Sequence, residues 1–164
     1  MIAGLPPDAT VRVFSAEPAL APAAATALVA AVERLLAQFV REGRCSAAGA
    51  EVAQDGRFVV VAWDGPALSG CSHDKLGQVV ALYERQASVE LLAAPPIAVG
   101  HPVQVVDRPR LRALLASGAL DATAPWWDVR VVTLGAWRAQ PATLAESPWA
   151  ALAGAADTSA RNAS

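Results

Sequence analysis

The sequence predicts an α+β fold: a ferredoxin-like βαββαβ two-layer sandwich followed by a C-terminal α/β extension. Three observations lead there. An alternating β-forming run, Val11-Arg-Val-Phe-Ser-Ala16, precedes an amphipathic stretch. Two β-forming runs then flank Gln54-Asp55-Gly56, a hairpin signal. A second helical stripe ends before the short apolar run Ile97-Ala-Val-Gly100. Strand, helix, strand, strand, helix, strand is the split βαβ order, with right-handed crossovers and both helices on one face. Residues 1–150 then form a single α+β domain, with a core over 11–101 and an appended subdomain over 102–150, and 151–164 reads as a flexible tail of small and polar residues.

Each element has a local reason. In the first strand Val11, Val13 and Ser15 share a face. The spacing predicts a helix over 22–42, with Pro22 in its first turn, a stripe of Leu28, Val32, Leu35, Leu36, Phe39 and Val40, and Gly43 as its stop. The hairpin arms are 47–53 and 57–63. The second arm, Phe58-Val-Val-Val-Ala-Trp63, is almost continuously apolar and suits a central strand. A loop from Asp64 leads to a second helix over about 73–86, its buried face being Leu76, Val79, Val80 and Tyr83, and Pro95-Pro96 ends the connection that follows. In the extension, 103–106 reads as a strand, Asp107 caps a helix over 108–117 with Leu111, Leu114 and Leu115 buried, and Val129–Leu134 reads as another strand.

Composition narrows the function classes. Of the 164 residues 39 are Ala, while Leu, Val, Ile and Phe number 41, enough apolar volume for a folded core. The net charge of −2 offers no broad positive field for nucleic acid. One Lys against twelve Arg reflects coding bias in an Ala-rich chain and does not mark an arginine-based binding surface. The N-terminus lacks the basic and apolar regions of a signal peptide, and Leu20–Ala31 falls short of a membrane span. Cys45 and Cys71 make no disulfide framework; two reduced thiols in a cytoplasmic protein are the economical reading, with one bridge as the alternative.

Chemistry concentrates in one place. Ser69-Gly70-Cys71-Ser72-His73-Asp74-Lys75 sets a thiol, two hydroxyls, an imidazole, a carboxylate and the single Lys between a central strand and a helix N-terminus. Ser72 fits the N-cap, and Asp74 then falls in the first turn. Amides at such a terminus favour anions and activate a thiol. Cys71, with His73 and Asp74, is thus the candidate catalytic set. Ser69, Gly70, Ser72 and Lys75 are the candidate ligand set for a small anion. A purely structural use competes with both: a buried Cys71 closing the turn, with Gly70 permitting it and the polar side chains satisfying backbone N–H groups.

Ser69-Gly-Cys-Ser-His-Asp74 resembles the Ser-Gly-Cys-Ser-x-Asp signature of a family of small uncharacterised bacterial proteins, mainly from Bacteroidetes, some of which carry the label "ABC transporter ATPase". The resemblance extends loosely through Phe58–Val61, the second helix, Leu111–Gly118, Thr133 and Ser147-Pro148-Trp149, about two thirds of the chain, and only the hexad is specific. His73 replaces a usually apolar residue, and Glu42-Gly43 stands where the family has His-Gly. The resemblance implies no established activity. The ATPase label fails on chemistry: a P-loop needs Gly-x-x-x-x-Gly-Lys-Ser/Thr, whereas Lys75 precedes Gly77.

The predicted sandwich places Ser15, Glu17, Trp63 and Asp64 beside Cys71 and sends His101 to the opposite edge. No zinc-type ligand spacing occurs, so no metal and no cofactor are expected. Four of the five Trp fall within residues 126–149, and Trp126, Trp127 and Trp137 are candidate anchors for a protein partner; filling volume in an Ala-rich core is the competing use. The reading that follows is a cytoplasmic, non-enzymatic binding protein for a protein or small anionic ligand, without nucleic-acid or membrane partners. Thiol-dependent or redox chemistry at Cys71 is the alternative. Edge-strand pairing into a homodimer is compatible with the sandwich.

Overall fold

A computed structural model describes residues 1–91 and 97–155. They divide into two compact units: residues 1–91 with 129–138, and residues 97–128 with 139–155. Pro95 and Pro96 of the connection, and 156–164 of the expected tail, lie outside the described residues; 150–155 are helical.

The first unit is built around β3 (Phe58–Asp64), which lies between β1 (Thr10–Ser15) and β2 (Ala47–Ala53), antiparallel to both. From Phe58 to Trp63 no side chain of β3 faces water. Alternation sends Val59, Val61 and Trp63 to one face. There they join a core with Leu28, Val32, Leu36 and Phe39 of α1 (Pro22–Arg41) and Leu76 and Val80 of α2 (Gly70–Ala87). Val40, expected in the α1 stripe, is exposed. Helix α1 has the length and hydropathy of a membrane span, and its stripe packs in this core.

Phe58, Val60 and Ala62 point the other way and are equally buried. Here Trp137 of α4 (Leu134–Arg138) sets its ring edge-on to Phe58 at 5.3 Å. The N-terminal segment is tied to the same helix: the Arg138 guanidinium donates to the carbonyls of Ile2, Ala3 and Leu5, and Leu134 N–H donates to Ala9 at 2.8 Å. Val129–Leu134 is therefore no strand. Only Thr133 bridges to Thr10, with Val11 N–H donating to the Val132 carbonyl, before α4 begins.

The single ferredoxin-like sandwich does not form. Its fourth strand, β4 (Ile97–Val99), pairs with β5 (Gln104–Val106) and β6 (Pro125–Trp127) in a separate antiparallel sheet of order β5-β4-β6-β7, where β7 is Ala142–Thr143. Two local causes favour this. Gly100, at φ +83°, turns the chain straight from β4 toward β5, a shorter loop to close than a return to β1. The edge of β1 is already engaged by 132–134. In this second unit α3 (Arg108–Ala116), capped by Asp107 as expected, buries Leu111, Leu114 and Leu115 with Trp126 and Leu144.

The hairpin depends on Gly56, at φ +87°, whose carbonyl accepts from Leu20 N–H at 2.9 Å. A Cβ there would strike the Leu20 carbonyl oxygen, whereas one on Gly43, at φ +68°, meets nothing within 4 Å. Both substitutions strain the backbone, but only Gly56→Ala also forces a backbone shift. Chemical denaturation is expected to show a loss of about 1 kcal/mol for Gly43→Ala and roughly 2–3 kcal/mol or more for Gly56→Ala.

Candidate functional site

The polar hexad follows directly from β3. Helix α2 starts earlier than its apolar stripe indicates, because Ser69, not Ser72, is the N-cap. Ser69 has extended backbone angles, and its Oγ accepts from Ser72 N–H at 3.3 Å. Ser72 thus enters the first turn, and Asp74 lies beyond it. Gly70 needs no glycine, since a Cβ there meets nothing within 4 Å, so its expected turn-permitting role is not required.

Ser72 is completely buried, and its hydroxyl is engaged on two sides. The Arg44 Nη1 donates to its Oγ at 2.7 Å, and the Ser69 Oγ lies 3.1 Å away. Arg44 also donates through Nε to Glu42 at 2.5 Å, and its guanidinium stands 5.4 Å from the Phe39 ring centre. Gln38 Nε2 completes the chain of contacts, donating to Glu42 Oε1 at 2.6 Å. This network ties the α1–β2 connection to the start of α2. Arg44 and Glu42 were not among the candidates from sequence: Arg44 is one of twelve Arg, and nothing local links it to a serine 28 residues on.

The remaining candidates separate. Cys71 is exposed, as are Ser69, Gly70, Asp74 and Lys75. His73 is half-buried, its ring 5.7 Å from that of Trp63 and near perpendicular to it. Among the described residues no side chain hydrogen-bonds or ion-pairs with the Cys71 thiol. Trp63 does stand near the hexad, and the Asp64 carbonyl accepts from Ser46. Ser15 and Glu17 do not: β1 runs antiparallel to β3, so Ser15 pairs with Phe58, at the far end from Asp64. Glu17 instead takes Arg57 at 2.6 Å.

No family model, curated protein or solved structure matches this chain. Among the described residues no group of three or more His, Cys, Asp or Glu could hold a metal ion. Trp126 and Trp127 are buried in the second unit, and Trp137 is buried in the first against Phe58. His101, exposed, belongs to the second unit.

The two thiols differ in kind. Both are free; Cys45 is buried, and burial pushes its thiol up from the usual range. A thiol reagent is expected to titrate one cysteine in the native protein, absent in Cys71→Ser, and the second only on unfolding. Glu42 supplies a pH signature: the hydrogen bond from Gln38, then that from Arg44, holds its carboxyl below the ordinary carboxylate range. A lowered folded-state value stabilises the fold above the unfolded-state value, and that contribution is lost as pH falls through the folded one. Glu42→Gln is expected to shallow the acid limb of the denaturation midpoint plotted against pH, leaving it parallel to the parent at neutral pH.

Proposed function

We propose that this chain is a cytoplasmic, non-enzymatic binding protein, with the exposed first turn of α2 as a contact surface. The observation that carries the reading is the state of the hexad's polar groups. Ser69 caps the helix, Ser72 is buried under Arg44, and His73 stands against Trp63. A nucleophilic cysteine needs a base or cation placed on its sulfur; these side chains are engaged in holding the helix start in place. What faces outward is a small patch of Ser69, Gly70, Cys71, Asp74 and Lys75. The N–H groups of Gly70 and Cys71, ahead of the capped Ser72 N–H, and the Lys75 ammonium suit an anionic group on a small molecule or a protein. The likeness of the hexad to the Ser-Gly-Cys-Ser-x-Asp family belongs to this proposal as well, and brings no activity with it.

The exposure of Cys71 favours one second reading, thiol-dependent chemistry. Alkylation by iodoacetamide separates the two. The binding reading expects Cys71 to react within roughly tenfold of free cysteine in the same buffer, as an accessible thiol with no base or cation placed on its sulfur does. A rate about a hundredfold higher, lost in His73→Ala or Lys75→Ala, would replace it with the thiol reading.

A further inference from the structure

Among the described residues of the second unit, Arg occurs only at positions 108, 110 and 112, and Lys at none. Coding bias accounts for these cations being Arg, and not for their falling together on α3. Local electrostatics disfavours the placement. Arg108 and Arg110 stand in a first turn that holds no acidic residue, so their charges meet the positive end of the helix dipole. Arg108 and Arg112 are like charges one turn apart. All three side chains are exposed, and none forms an ion pair among the described residues. Acids of the same unit are engaged elsewhere: Asp107 takes the Arg110 N–H at 2.8 Å, Asp121 takes Thr123, and Glu146 takes Thr143. Unfavourable local choices with no compensating contact inside the chain mark a surface that meets something outside it.

We propose that the outer face of α3 docks an acidic helical segment of a partner protein. Leu111, Leu114 and Leu115 hold the inner face in the core of the second unit. Helical spacing sets the exposed Pro109, Ala113 and Ala116 along the outward ridge, with Arg108 and Arg112 on one side of it and Arg110 on the other. Small side chains on the ridge let a partner helix approach to the roughly 8–10 Å of packed helices. At that range the guanidinium groups meet carboxylates on both flanks of the partner, each through paired N–H donors. Carboxylates beside the first turn also answer the dipole of α3. The ridge argues against other polyanions. A sugar-phosphate backbone gains nothing from Pro109, Ala113 and Ala116, and α3 carries no aromatic ring on which a base could stack. All three leucines are buried, which leaves no large apolar side chain to enter a lipid surface. This surface belongs to the second unit, whereas the hexad belongs to the first, so the two readings stand or fall separately.

Fluorescence anisotropy on the full chain tests this. The probes are a labelled helical peptide with Glu on both sides of an Ala stripe and the same peptide with Gln in place of Glu. The expected result is saturable binding of the Glu peptide alone at low ionic strength, much reduced at about 0.15 M salt. Arg108→Glu together with Arg112→Glu should weaken it at least about tenfold. Arg34→Glu together with Arg41→Glu on α1, also exposed and without ion pairs among the described residues, alters the net charge equally and should keep the affinity within about twofold. Circular dichroism confirms that each variant is folded. The melting temperature of the α3 variant should be no lower than the parent's, because the change removes a like-charge pair and puts an acid in the first turn. Absence of binding overturns the proposal, as does equal binding of the Gln peptide or an equal loss in the α1 variant. A lower melting temperature of the α3 variant removes its premise and overturns it too. Tighter binding of a single-stranded oligonucleotide or of anionic phospholipid vesicles, lost in the α3 variant, would replace the acidic helix with that partner.

Discussion

The first unit depends on the burial of one strand. β3 presents six consecutive side chains, Phe58 to Trp63, with no solvent-facing position among them. A strand apolar on both faces requires two covers, and this chain supplies them by different means. One is a helix pair whose stripes were recruited at helical spacing. The other is assembled from the N-terminal segment and a return of the chain at 129–138, joined by the Arg138 guanidinium across three carbonyls and by the edge contact of Trp137 on Phe58. The position of the hexad follows, because α2 can start only where β3 ends.

Much of the first unit was legible in the sequence, because its elements are long enough to show a period. The α1 stripe, the Gln54-Asp55-Gly56 turn and the unbroken apolar run of β3 each declare a local geometry, and the structure has all three. Strand partnership was not legible. β4, β5 and β6 have three residues each, too few for alternation to speak, and β6 opens on Pro125. Val129-Arg-Val-Val-Thr-Leu134 has β-forming composition, yet it leaves Val132 exposed, since only a bridge and a few backbone bonds hold it at the edge of β1. Propensity pointed to a strand there, whereas 129–130 form a turn and a helix takes over at Leu134.

The hexad illustrates a different limit. Its residue types fit both a helix cap and a reactive site, and the sequence could not choose between them. The choice turns on Arg44, which reaches from the α1–β2 connection to the buried Ser72 hydroxyl. A serine in the first turn with its side chain sealed from water acts as a mechanical joint. Beside this contact the cap is Ser69 and not Ser72, α2 begins at Gly70, and Cys71 is exposed. Sequence spacing cannot report such a long-range hydrogen bond, although it determines which of the seven residues face solvent.

The return of 129–138 to the first sheet makes that unit discontinuous in the chain. Among the described residues, the polypeptide belongs to the first unit up to residue 91, builds most of the second over 97–128, returns for ten residues and leaves again. During synthesis from the N-terminus, one face of β3 can be covered as soon as α1 and α2 have emerged. Phe58 must wait for Trp137, so the nascent sheet lacks this part of its cover over the interval in which residues 97–128 are made. Maturation of the first unit is thereby tied to translation of the second.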